Sequence, residues 1–193
     1  MLNLTDEFVL GMAQLCAQRD ILLMVDEVQT GNGRTGKLYA FEHYGITPDV
    51  VSTAKGLGGG LPIGATMIGE KAETVLDAGS HGSTFGGNPV CCAGALNILK
   101  RLDDKMLDGV KERSAYLFEV LSQADGVESV SGMGLMIGVK TTRPAADVIA
   151  ACMEKGLLVI KAKDKVRLLP ALNIPMDVLK KAVEILKQAI AAK

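Results

Sequence analysis

Two residues of opposite charge, Asp26 and Lys55, each stand at the end of an apolar run. Leu22, Leu23, Met24 and Val25 lead without polar alternation into Asp26, which is followed by Glu27, Val28 and Gln29. Val50 and Val51, after the turn signal Thr47-Pro48-Asp49, lead through Ser52, Thr53 and Ala54 to Lys55. The first run reads as a strand covered on both faces, the pattern of a parallel sheet flanked by helices. The intervening chain is long enough for the crossover that parallel pairing requires. Ligands of open α/β sheets bind at the carboxyl ends of strands, where both charged residues fall. A carboxylate and an amine facing one crevice read equally as an ion pair or as two walls of a cofactor site. In the second reading the lysine holds an aldehyde cofactor as a Schiff base, and the aspartate keeps a pyridine nitrogen protonated so that the ring draws in electrons. The charge-assisted bond from such a nitrogen is worth about 1.5–3 kcal/mol. A free lysine is neutral in only about one molecule in 2,500 at pH 7, so the reading expects Lys55 to be buried among Ala54, Gly56 and Leu57, with its pKa depressed.

The elements that must position this pair follow from spacing. Leu4, Phe8, Met12 and Leu15 recur at helical intervals, Thr5 suits the N-cap, and Asp6 and Glu7 occupy the first turn where the helix dipole favours acids. Tyr39, Phe41 and Tyr44 suggest a short helix within the crossover, Leu61 to Gly69 a further short strand, and Glu70 to Ala78 a helix. Asn88 before Pro89 reads as a capped helix start, with helices predicted over Pro89 to Leu102 and Lys105 to Ala124. At Asp125-Gly126 the pattern changes to short strands, Val127 to Val130, Leu135 to Lys140, Leu157 to Ile160 and Val166 to Leu169, with helices from Ala145 to Lys155 and from about Asp177. The expected division is therefore 1–124, a larger α/β portion, and 125–193, a small α+β domain. A parallel strand buried on both faces needs neighbours, and few candidates precede it, so further chain is expected upstream.

Composition narrows the function classes. The 193 residues are 48% hydrophobic with a net charge of −1 and a pI near 6.1, which leaves no basic field for nucleic acid and no polybasic segment for a membrane surface. Apolar runs stop short of the ~20 residues of a membrane helix. Four cysteines without a C-x-x-C pair and two histidines make no zinc constellation, so free buried thiols are expected. The N-terminus has the marks of neither a signal nor a transit peptide, which makes the cytoplasm the default. Gly31-x-Gly33-x-x-Gly36 matches a dinucleotide fingerprint, and Gly31 to Lys37 nearly matches a phosphate loop. Leu38 supplies no hydroxyl for magnesium, and Asp49 lies at the wrong end of the next strand. A glycine-permitted turn that carries Arg34 to a subunit contact is the preferred reading, and a nucleotide-binding protein using Gly31 to Lys37 the rival one.

Three motifs occur in order: Asp-Glu-Val-Gln-Thr-Gly-Asn-Gly-Arg-Thr-Gly (26–36), Thr-Pro-Asp-Val-Val-Ser-Thr-Ala-Lys-Gly-Leu-Gly-Gly-Gly (47–60) and His-Gly-Ser-Thr-Phe-Gly-Gly-Asn-Pro (81–89). Together they resemble the class III, pyridoxal-phosphate-dependent ω-aminotransferases, and the likeness runs from the first helix to the last. The resemblance implies fold type I in part: the second portion of the large mixed or parallel-sheet domain, then the small C-terminal α+β domain. It implies pyridoxal 5′-phosphate held by Lys55, with Asp26 at the pyridine nitrogen, Val28 against one face of the ring and Gln29 at the phenolic oxygen. Ser83 and Thr84 would serve the cofactor phosphate, Thr84 reaching the one bound in the neighbouring subunit of a homodimer. Arg167, in Arg-Leu-Leu-Pro-Ala-Leu, would meet a substrate carboxylate, although Ala171 stands where the family usually carries a second Pro. The implied reaction moves the δ-amino group of N-acetylornithine to 2-oxoglutarate, as in arginine biosynthesis. Ornithine, succinylornithine and 4-aminobutyrate are the alternative donors. Family members carry about as much chain again upstream, including further walls of the site, so these 193 residues alone are expected to have little or no activity.

Overall fold

The computed structural model describes residues 3–192, which form two compact units, Leu4–Leu107 and residues 108–192 with Asn3. The first unit opens with α1 (Asp6–Gln18), capped as expected by the Thr5 hydroxyl, which accepts from the Phe8 amide at 3.3 Å. A three-stranded sheet follows in the order β1 (Met24–Asp26), β2 (Val50–Thr53), β3 (Ala65–Ile68). β1 and β2 are parallel, with Met24 opposite Val50, Val25 opposite Val51 and Asp26 opposite Ser52. β3 returns antiparallel along the other side of β2. The connection from β1 to β2 carries no α-helix; it is a glycine-rich turn leading into one 3-10 turn, Ala40–His43. A second 3-10 turn, Lys55–Gly58, begins just beyond β2, and α2 (Pro89–Arg101) packs against it. Asn88 caps α2 through its side-chain oxygen, which accepts from Val90 and Cys91 at 3.0 and 3.2 Å.

Two expectations for this unit are corrected. β1 is not covered on both faces: Met24 is 68% exposed, and the strand is also a sheet edge whose outer side has no paired strand among the described residues. The span Glu70 to Ala78 is not a helix; only Glu70–Ala72 forms a 3-10 turn. Val75 and Leu76 find nothing to pack against and stay exposed, and a short helix without a packed face is not stable in water. The helical spacing of Leu4, Phe8, Met12 and Leu15 does give a helix, yet all four are exposed and Cys16 is its one buried residue.

The second unit contains most of α3 (Asp104–Ser122), then β4 (Val127–Met133), β5 (Met136–Thr141), α4 (Ala145–Glu154), β6 (Ile160–Ala162), β7 (Lys165–Leu168) and α5 (Met176–Ala191). Its sheet is antiparallel throughout in the order β4-β5-β7-β6. The two compact units divide inside α3, at Leu107/Asp108. The reason is packing: Val110, Leu117 and Leu121, one face of α3, are buried in the same core as Ile137 and Val139 of β5, Val148 of α4 and Val183 and Leu186 of α5. The helix is thus part of the small domain that its sequence only appeared to precede. The cysteines are free, with Cys16, Cys91 and Cys152 buried. Among the described residues no helix is long and apolar enough to cross a membrane.

This core gives a direct test. Leu121→Ala removes a side chain with no exposed surface, and the loss of transfer energy plus the residual cavity is expected to lower the unfolding free energy of the second unit by about 2–5 kcal/mol. A urea titration followed by circular dichroism measures it, and an unchanged midpoint would contradict the packing described.

Candidate functional site

Parallel pairing brings Asp26 and Lys55 to the same end of one sheet. Asp26 is the last residue of β1, opposite Ser52, and Lys55 begins the turn just past the end of β2. Both side chains are exposed. The Asp26 carboxylate accepts from the Val28 amide at 2.8 Å, a local bond that turns the chain sharply after the strand. Among the described residues the Lys55 amine has neither a hydrogen bond nor an ion pair, so the reading of the two as a salt bridge is not met. The expected burial of Lys55 among Ala54, Gly56 and Leu57 is not met either. Leu57 and Gly58 turn inward, and the lysine is left facing solvent.

The backbone at Lys55 is the more telling feature. Its φ is 48°, in the left-handed region that a non-glycine residue enters at a cost of roughly 1–2 kcal/mol. Such strain persists only where the surroundings over-determine it. Those surroundings come from the turn after β1, which folds back onto the end of β2 through buried polar groups. The Glu27 carboxylate, with no exposed surface, accepts from the Phe41 amide at 2.9 Å and from the Thr30 hydroxyl. Asn32, 5% exposed and itself at φ 55°, donates from Nδ2 to Thr53 Oγ1 at 3.0 Å and to the Ala54 carbonyl at 3.1 Å. Asn32 Oδ1 is buried without a hydrogen-bond partner, a condition that costs about 1–3 kcal/mol. Tyr39 is also buried here, hydrogen-bonded to Thr53. Burial pushes its phenol above the ordinary range, and Glu27 and Glu42 add to the rise against the lowering effect of the Thr53 bond.

The glycine pattern is used for packing, not for cradling phosphate. Gly31 and Gly33 direct their amides to the carbonyls of Glu27 and Leu38, at 2.9 and 3.2 Å, and Gly36 directs its amide to Gly33 at 3.1 Å. All three glycines are buried. No helix opens at Gly36, which both nucleotide motifs require, so the nucleotide-binding alternative has no structural support. Gly31 is needed for close approach, since a Cβ there would lie 2.8 Å from the Glu27 carbonyl oxygen.

The other expected site residues are placed as follows. Val28 is half-buried and Gln29 exposed in the turn after Asp26, and Arg34 is half-buried further along it. Ser83 and Thr84 are exposed in the turn that leads into α2, and neither bonds to Asp26 or Lys55. Arg167 lies in the second unit, on β7 between Gly138 of β5 and Ile160 of β6. It is half-buried rather than a surface strand residue, and it lines a pocket of about 280 Å³ in which it is the one charged lining residue beside Leu117, Leu158, Leu168 and Leu179. Sequence reading named Glu27 only as an acid at the strand end, not as a buried packing residue, and missed Asn32. The signal available for Asn32 was a polar residue flanked by Gly31 and Gly33, in a turn that had to pack.

Comparison with known proteins places this geometry. The family described as aminotransferase class-III matches residues 1–190. Acetylornithine aminotransferase of Haemophilus ducreyi is 42% identical over 191 residues, which cover 98% of this chain and 49% of that protein. Among solved structures, ornithine delta-aminotransferase of Plasmodium falciparum superposes with a TM-score of 0.88 at 35% identity, over 96% of this chain and 51% of that one. N-acetylornithine aminotransferase from Stenotrophomonas maltophilia does so with a TM-score of 0.85 at 33% identity, over 97% and 51%. The chain thus spans about half the length of the curated relatives it matches.

The packing role of the turn is testable. Gly31→Ala is expected to cost about 1–3 kcal/mol by overpacking. Gly11→Ala, on α1 with nothing within 4 Å of the added Cβ, is expected to stabilise by up to ~1 kcal/mol. Thermal melts of the two variants should therefore move in opposite directions.

Proposed function

The chain belongs to the class III aminotransferases, which are pyridoxal-phosphate-dependent, and from that premise we propose that it forms the cofactor-lysine half of an ω-aminotransferase. The observation that carries the proposal is the unpartnered amine of Lys55, held in a left-handed bend just beyond β2, while the neighbouring parallel strand ends in the Asp26 carboxylate. One amine and one carboxylate at adjacent strand ends fit the two contacts this cofactor needs from its protein: a group that condenses with its aldehyde, and an anion for its ring nitrogen. When bound, the cofactor supplies that aldehyde and a ring able to absorb the electrons released at the amine-bearing carbon.

The chain's own residues then have distinct tasks. Lys55 presents the amine that would hold the cofactor by its aldehyde, and the same amine would be the base for the proton on the substrate carbon. Asp26, fixed by its bond from the Val28 amide, offers a carboxylate of set direction. Val28 and Gln29, in the turn it begins, are the residues proposed for the ring face and the phenolic oxygen. Ser83 and Thr84, exposed before α2, offer hydroxyls to a phosphate, Thr84 that of the second subunit in a homodimer. Arg167, the single charge lining an otherwise apolar pocket, suits the carboxylate of a substrate whose remaining atoms are mostly apolar.

The proposed donor is N-acetylornithine and the acceptor 2-oxoglutarate, in the cytoplasm. Relatives named for acetylornithine support this donor, and structural neighbours named for ornithine favour an ornithine-type ω-amine as the second reading. The relatives are about twice as long as the matched span, so the 193-residue chain by itself is expected to give no turnover of N-acetylornithine with 2-oxoglutarate. In the enzyme completed by the remaining half, Lys55→Ala is expected to abolish that transamination and the visible absorbance of the bound cofactor. Persistence of both would remove Lys55 from this role.

A further inference from the structure

We infer that Asn32 is a positioning residue, a clamp that joins the turn carrying Asp26, Val28 and Gln29 to the bend carrying Lys55. This rests on the cofactor reading for what Lys55 does, but the clamp itself is a matter of geometry. Asn32 lies in the turn after β1, yet both hydrogens of its amide are directed at the end of the next strand, to Thr53 Oγ1 and the Ala54 carbonyl. The Ala54 carbonyl is also the acceptor for the Leu57 amide at 3.1 Å, the bond that closes the turn beginning at Lys55. One side chain therefore reaches the carbonyl that immediately precedes the lysine. Its Cβ also faces Gly56, the residue that follows: a Cβ added there would meet Asn32 Cβ at 3.4 Å.

Three features argue that this is more than filling. Asn32 is buried with one oxygen unsatisfied, which an apolar residue of the same size would avoid. It sits at φ 55°, a conformation asparagine tolerates better than most non-glycine residues, so residue type and backbone agree. Its two donors act on the only covalent link between β2 and a lysine that is itself strained. Hydrogen bonds that hold a side chain's support, rather than the side chain, are how a reactive group is kept within the narrow geometry its chemistry needs.

The test uses Asn32→Asp, which keeps the shape and loses both donors, and Asn32→Gly, which accepts the left-handed backbone and loses the side chain. Two measurements are made on the 193-residue chain. The first is amide hydrogen exchange at Leu57, which needs no cofactor. The second is the rate of covalent labelling of Lys55 by pyridoxal 5′-phosphate with borohydride as the reductant, read by peptide mass spectrometry relative to the exposed Lys100. In both variants exchange at Leu57 is expected to quicken by about tenfold or more while the amides of β5 and β7 keep their rates, and the ratio of Lys55 to Lys100 labelling is expected to fall about fivefold. Unchanged exchange at Leu57 in Asn32→Gly overturns the clamp. Exchange that rises equally over the whole first unit, with the labelling ratio unchanged, also overturns it, because a residue that merely supports the fold would behave in that way. Absence of any preference for Lys55 in the unsubstituted chain counts against the cofactor reading instead, and the clamp is then decided by Leu57 alone.

Discussion

The parallel register of β1 against β2 is the constraint on which the rest depends. A shift of one residue would turn every side chain of β1 to the opposite face and carry Asp26 away from the edge it shares with Lys55. Three residue pairs, Met24 with Val50, Val25 with Val51 and Asp26 with Ser52, are a short ladder for so strict a demand. The demand is met by the chain between the strands, which contributes polar groups instead of a crossover helix. Asn32 and Tyr39 both bond to Thr53 at the end of β2, while buried Glu27 holds the Phe41 amide and the Thr30 hydroxyl within the connection. Buried polar sets of this kind specify one arrangement more sharply than apolar packing, at the risk of incomplete satisfaction, and Asn32 Oδ1 is such a cost.

The two units are stabilised differently. The second has a closed apolar core in which residues from α3, β5, α4, β7 and α5 are nearly free of solvent contact. The first leaves large apolar side chains open on α1, on β1 and around α2, with Phe8 at 55%, Met24 at 68% and Val90 at 67% exposure. An outer strand edge and so much uncovered apolar surface mark a body built to be covered. The relatives, with about twice the matched length, carry the chain that could do so.

Much of this was legible in the sequence. The helix start at Thr5, the cap at Asn88 before Pro89, the parallel order of the two strands and, from Val127 onward, two helices and three of four strands follow from local rules, whereas the strand expected over Leu157 to Ile160 forms at Ile160–Ala162. Hydrophobic period, capping residues and turn dipeptides act over a few neighbours and leave a direct trace in residue order. The three motifs did the same for the family, because a likeness of residue types in order is itself read from the sequence.

What residue order left open was decided by partners distant along the chain. Burial of Lys55 was expected from its neighbours and was reversed by the direction of one 3-10 turn. The helix expected at Glu70 to Ala78 lacked a surface to pack on, and α3 went to the second unit because its apolar face met β5, α4 and α5 rather than the elements before it. Glu27 stood out only as an acid after Asp26 and Asn32 not at all, and their packing roles arise only when residues 27–41 fold back on the end of β2. The sequence by itself determined which elements form and which reactive groups stand at their ends. Tertiary structure alone decided which of those groups are covered, braced or left open, because burial and hydrogen-bond satisfaction depend on what else occupies the same space.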